Sequence, residues 1–164
     1  MRQPSHEPQS TPLKRDTFTS LHYHIVFATY RRRRVIEKSW RPGLHAYIAG
    51  ILRKQGGVPL IVGGVSDHVH ILTGLRPNHC LSDIMREVKH ESSRWIHENH
   101  FRDFSWQKGY SAFTVSPLAC DKVRRYIAAQ EEHHHERGGV ETTSHPVLLS
   151  RPSGAPSEIP QSPI

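Results

Sequence analysis

A chain of 164 residues allows one domain of ordinary size, and its 35% hydrophobic content is low for a compact globule, so part of the chain is expected not to fold. No apolar run reaches the length of a membrane span, the N-terminus lacks the apolar core of a signal peptide, and the only cysteines are Cys80 and Cys120. A membrane protein and a disulfide scaffold are therefore excluded, and a reducing cytoplasm is the expected location. The formal net charge of +7 suits a polyanionic partner without specifying one.

Residues 1–16 carry Pro4, Pro8 and Pro12 among polar residues without apolar periodicity, and are expected to form a flexible arm. From Gly138 the chain turns to Gly, Ser, Thr and Pro, so 138–164 reads as a disordered tail that cannot bury enough surface to offset its ordering entropy. A folded domain of 17–137 remains.

Within it, Leu21–Thr29 alternates and is rich in β-formers, which predicts a strand with Tyr23, Ile25 and Phe27 on one face and His22, His24 and Val26 on the other. The basic run Arg31–Arg34 follows. Leu44, Tyr47, Ile48, Ile51 and Leu52 then recur at helical spacing, which predicts a helix over 37–55 ended by Gly56-Gly57. Two strands, 58–65 and 68–73, are joined by a tight turn at Ser66-Asp67. A second helix over 81–98 buries Leu81, Ile84, Met85, Val88, Trp95 and Ile96. A fourth strand is expected at 110–115. Ser116-Pro117 then reads as a cap and first turn for a last helix over 117–135.

The order is β-α-β-β-α-β plus one helix. It predicts an α+β fold of ferredoxin-like plan, a four-stranded antiparallel sheet covered by two helices on one face. The first and third strands should be central neighbours, with Tyr23, Ile25, Phe27, Val69 and Ile71 under the helices. His22, His24, His68 and His70 then share the opposite face.

His68-Val69-His70 is the feature with chemical content. Two residues apart on a strand, the imidazoles point the same way and form half of a metal site. On the last helix Tyr126 and Gln130 stand four residues apart and project from one face, with His133 and His134 near it one turn later. A phenol and an amide beside two imidazoles would make a divalent metal site with a nucleophile at hand, suited to phosphoryl transfer. Neither pair is specific alone, since strand histidines and helix tyrosines usually face solvent or pack. The run His133-His134-His135 suggests another metal site, but neighbours on a helix diverge by about 100°, which weighs against the run as a ligand cluster.

Together, His24-Ile25-Val26-Phe27-Ala28-Thr29, Asp67-His68-Val69-His70, Trp106-Gln107-Lys108-Gly109-Tyr110 and Tyr126-Ile127-Ala128-Ala129-Gln130-Glu131-Glu132-His133-His134 resemble a known family. It is the single-tyrosine HUH transposases of small bacterial insertion sequences, a group that includes the REP-associated tyrosine transposases. The resemblance covers about residues 18–135. It implies that His68 and His70 are metal ligands, Gln130 the third ligand and Tyr126 the nucleophile. It also implies Mg2+ or Mn2+ as cofactor, although two imidazoles by themselves suit zinc as well. The implied reaction is cleavage and rejoining of single-stranded DNA at hairpin-marked element ends through a 5′-phosphotyrosine link, by a homodimer whose tyrosine helix serves its own site or the partner's.

Arg31, Arg33, Lys89, Arg124 and Arg125 are candidate phosphate contacts, and Trp106, Tyr110 and Phe113 are candidates for stacking on unpaired bases. His22 and His24 either support the ligands or are polar positions on the open face. Tyr30 stands where the family often has Lys, and the Pro/Ser-rich tail stands where relatives commonly have another amphipathic helix. Two other readings suit the same residues. One is an HUH replication or conjugation nickase, the other a non-catalytic, domesticated or decayed, nucleic-acid-binding module.

Overall fold

The computed structural model describes residues 18–130. In chain order these form β1 (Leu21–Ala28), a 3-10 turn at Tyr30–Arg32, α1 (Arg41–Lys54), β2 (Val58–Gly64), β3 (His68–Leu75), α2 (Leu81–Asn99), β4 (Ser111–Val115), a 3-10 turn at Pro117–Ala119 and α3 (Cys120–Ala128). The strands make one antiparallel sheet in the order β2-β3-β1-β4. This is the expected α+β arrangement, with β1 and β3 at its centre. The arm at 1–16, the tail at 138–164 and the histidines 133–135 lie outside the described residues.

Register explains how the two faces differ. Ile25 pairs with Ile71 and Phe27 with Val69, so these four side chains share a face. They join Leu44, Ile48, Ile51 and Leu52 of α1 and Ile84, Met85, Val88 and Ile96 of α2 in one apolar core. Full burial of each such aliphatic side chain contributes about 1.5–3 kcal/mol against exposure. The alternate positions pair His24 with Leu72, Val26 with His70 and Ala28 with His68, which places the three histidines on the other face.

That second face is partly covered by α3. Ile127 and Cys120 pack with Leu72 in a smaller apolar cluster, flanked by Leu60, Ile61, Val115, Val123 and Tyr126. Two adjacent glycines of β2 and its turn make this possible for different reasons. A Cβ on Gly63 would lie 2.7 Å from Ile127 Cγ2 and 3.0 Å from its carbonyl oxygen, so only glycine lets α3 approach this closely. Gly64 has φ of +148°, and a Cβ there would lie 2.2 Å from the His68 carbonyl oxygen, so the turn into β3 needs the conformational range of glycine.

Several boundaries differ from expectation. The first helix starts at Arg41, not at 37, because Pro42 occupies its first turn. Proline favours the opening positions of a helix and biases the residue before it away from helical backbone. Residues 37–40 form a turn in which Arg41 N–H donates to the Glu37 carbonyl at 3.0 Å. Pro59 lies at a register irregularity of the edge strand β2, where a missing donor is tolerated. The last helix opens as a 3-10 turn and its regular part ends at Ala128. Among the described residues no helix is long and apolar enough to cross a membrane.

Candidate active site

His68 and His70 are both buried on β3, with 4% and 5% exposure. Their rings lie 4.9 Å apart between centroids, at 68° to one another. Each has a partner at Nδ1. For His68 it is the Asp67 carboxylate, 2.7 Å away, and the other oxygen of that carboxylate lies 3.2 Å from Arg32 Nε. For His70 it is His24 Nε2, 2.9 Å away. With Nδ1 engaged in each ring, Nε2 is the nitrogen through which either would ligate a metal.

Tyr126 reaches this pair from α3. Its ring stands edge-on to His70, with centroids 5.8 Å apart at 86°. Gln130, two residues beyond the regular helix, is buried at 4% exposure. His68, His70, Tyr126 and Gln130 all line one cavity of about 430 Å³. His68 and Gln130 are 62 positions apart in the sequence; the packing of Ile127 against Gly63 brings α3 to the strand histidines.

Gln107, Lys108, Gly109 and Tyr110 of the loop before β4, and Arg32, also line the cavity. Arg31 and Arg32 both have left-handed backbone, with φ of 55° and 56°, a conformation that is uncommon and strained for side chains of this kind. Arg31 N–H donates to Gln107 Oε1 at 3.2 Å, joining this turn to that loop. Arg32 was expected only as one member of the basic run Arg31–Arg34. The signal for it was the basic run itself, which does not say which member turns inward.

The other candidates fall in several places. Lys89, expected at a phosphate, directs its ammonium to the carbonyls of Gln107 at 2.7 Å and Gly109 at 2.5 Å. It also lies over the Phe27 ring, and burial lowers its pKa. Arg33 is paired with Asp103 at 3.0 Å and lies over Phe101. Arg124 and Arg125 are exposed on α3. Trp106, expected as a stacking platform, is instead core: it packs edge-on against Phe27 and Phe104 and donates its indole N–H to Ser92 Oγ at 3.0 Å. Tyr110 and Phe113 are partly exposed, at 37% and 40%. Tyr110 borders the cavity, and Phe113 lies across from His24 in the β1–β4 register.

Comparison with known proteins decides the family. The model of the IS200-like transposases matches residues 17–130, most of the chain. The chain belongs to the IS200-like transposases. It is 24% identical over 119 residues to the ISDra2 transposase TnpA of Deinococcus radiodurans, a match covering 68% of this chain and 85% of that one. A solved structure of a candidate transposase from Deinococcus radiodurans superposes with a TM-score of 0.57 at 26% identity, covering 71% of this chain and 95% of its own. A REP-associated tyrosine transposase bound to a REP hairpin shares the fold, with a TM-score of 0.53 at 14% identity over 79% of this chain and 76% of its own. For an IS200-like transposase the cavity under α3 is the candidate active site.

Among the described residues no three His, Cys, Asp or Glu side chains converge as a metal cage. The cavity-lining side chains that could hold a cation include His68, His70 and Gln130, two imidazole nitrogens and an amide oxygen. Such a set fits a divalent ion that keeps positions open for water and phosphate oxygen.

Proposed function

We propose that this transposase cleaves and rejoins single-stranded DNA at hairpin-marked ends, with Tyr126 as the nucleophile and His68, His70 and Gln130 as the ligands of a divalent cation, Mg2+ or Mn2+. The observation that carries this reading is the convergence of these four side chains on one cavity, with Tyr126 edge-on to a ligand imidazole. When bound, the cation supplies polarisation of a phosphoryl oxygen and offsets the charge that develops there.

The chain's own groups do the remainder. The Tyr126 phenol oxygen forms a bond to phosphorus as the bond to the 3′ oxygen breaks; the phenol gives its proton to solvent water, and the departing 3′ oxygen takes one from water to become the free 3′-hydroxyl. The product is a 5′-phosphotyrosine, which conserves the bond energy, so attack by another 3′-hydroxyl reverses the step without ATP. The Asp67 carboxylate, fixed by Arg32, holds His68 by its Nδ1. Lys89 holds the loop before β4 by two of its carbonyls, so its contribution is to the shape of the cavity. Arg31, Arg32, Arg33, Arg124 and Arg125 supply salt-dependent attraction for the DNA backbone. The hairpin bound by the REP-associated neighbour supports a hairpin as substrate, and a homodimer is the assembly we infer from the family.

The test is a labelled hairpin oligonucleotide mixed with the protein and Mn2+. A protein–DNA adduct that survives denaturation is expected, lost in His68→Ala and His70→Ala while hairpin binding persists. Undiminished adduct in both single variants refutes the metal role. Hairpin binding without any adduct from the unmodified chain favours the non-catalytic module.

A further inference from the structure

The proposed ligand set leaves one buried imidazole on the open sheet face without a role. His24 of β1 is 5% exposed. Its Nε2 lies 2.9 Å from His70 Nδ1, and the two rings are stacked at 20° with centroids 5.2 Å apart. Phe113 lies at 6.4 Å and Tyr126 edge-on at 6.3 Å. We propose that His24 is a positioning residue: it accepts a hydrogen bond from His70 Nδ1–H and so fixes His70 in the tautomer and orientation that turn Nε2 toward the cation. This inference rests on the reading of His70 as a metal ligand.

The direction of the hydrogen bond follows from its chemistry. Two neutral imidazoles joined nitrogen to nitrogen need one N–H and one lone pair. Were His24 the donor, His70 Nδ1 would supply the lone pair and its proton would sit on Nε2, which could not then ligate. Ligation through Nε2 therefore requires His70 to donate and His24 to accept. A neutral histidine left to itself favours the proton on Nε2, the wrong tautomer here, so the acceptor has work to do.

The sheet register supplies that acceptor. Val26 is directly opposite His70, and His24 is opposite Leu72. His24 is thus one diagonal step away on the same face, a separation that long side chains bridge. The two ligands are consequently held by different chemistry. His68 is held by a carboxylate, and His70 by a neutral ring. A carboxylate at both positions would place more negative charge beside a site meant for a phosphodiester. The imidazole orients its partner without adding that charge.

Two measurements on the full chain test this. In the 15N-labelled protein, at a pH where the imidazoles are neutral, long-range proton–nitrogen NMR reports the tautomer of each ring. His70 is expected as Nδ1–H in the unmodified chain and in His24→Gln, whose amide oxygen reaches a similar position, and as Nε2–H or a mixture in His24→Leu. Titration with Mn2+, followed by the EPR signal of the unbound ion, should show His24→Leu weakened about 10- to 100-fold, with His24→Gln restoring most of the affinity. His70 carrying its proton on Nε2 in the unmodified chain overturns the proposal, whether or not the leucine variant folds. So does a folded His24→Leu with unaltered tautomer and affinity. Mn2+ binding that is insensitive to His68→Ala and His70→Ala overturns the metal reading itself, a different failure visible in the same titration.

Discussion

Gly63→Ala tests whether the seat of α3 sets the geometry of the site. The added Cβ would stand 2.7 Å from Ile127 Cγ2 and 3.0 Å from the Ile127 carbonyl oxygen, where ordinary contact begins at 3.4 Å. Rotation of the Ile127 side chain relieves only the first clash. The second is with backbone, so the helix must retreat by a few tenths of an ångström at this point, carrying Tyr126 with it. Overpacking of this kind costs about 1–3 kcal/mol if the helix stays in place. A helix seated on one small apolar cluster is more easily displaced than the sheet, so the loss should fall on catalysis. A misplacement of about 1 Å is worth roughly 100-fold, so a shift of a few tenths corresponds to about 3- to 10-fold slower adduct formation, with a small change in melting temperature. Gly50→Ala is the control. A Cβ there meets nothing within 4 Å, and in the interior of α1 the substitution should stabilise by about 0.5–1 kcal/mol with no change in rate. Adduct formation by Gly63→Ala at the unmodified rate refutes the reasoning.

Three other outcomes follow from the packing. Lys89→Met should leave the salt dependence of hairpin binding unaltered, because the ammonium holds the Gln107 and Gly109 carbonyls, yet slow adduct formation at least tenfold; a salt slope reduced by about one would mark a phosphate contact instead. Burial, with Asp121 adding to it, raises the Cys120 thiol pKa, so Cys120 stays protonated as pH climbs through the range where an ordinary thiol ionises. Iodoacetamide at pH 8.5 should therefore label the exposed Cys80 well before Cys120, read by peptide mass mapping. Asp67→Asn should weaken Mn2+ binding about 10-fold or more, as loss of a group holding a ligand histidine does, with the fold intact by circular dichroism.

The central strands and their faces were legible because strand alternation is a local signal of period two: Tyr23, Ile25 and Phe27 against His22, His24 and Val26 is readable without knowing any partner. The same alternation put His68 and His70 together. What sequence could not supply was tertiary. Trp106 sits in a loop without periodicity, and nothing local says that it turns inward to Phe27, Phe104 and Ser92. Lys89 looked like any exposed cation of an amphipathic helix until the 107–109 loop folded onto it. The start of α1 was readable in principle, since Pro42 marks a first turn, but apolar spacing drew the expected boundary too early. The His24–His70 contact depends on a diagonal across two strands 46 residues apart, which only the register fixes.

The most direct test of the account is the identity of the residue that carries DNA. The unmodified chain is incubated with a hairpin substrate and Mn2+, digested with protease and nuclease, and the modified peptide is sequenced by mass spectrometry. The account predicts a nucleotide 5′-phosphate on Tyr126, absent when the cation is chelated. A nucleotide on any other residue, or an adduct formed equally well by Tyr126→Phe, contradicts it.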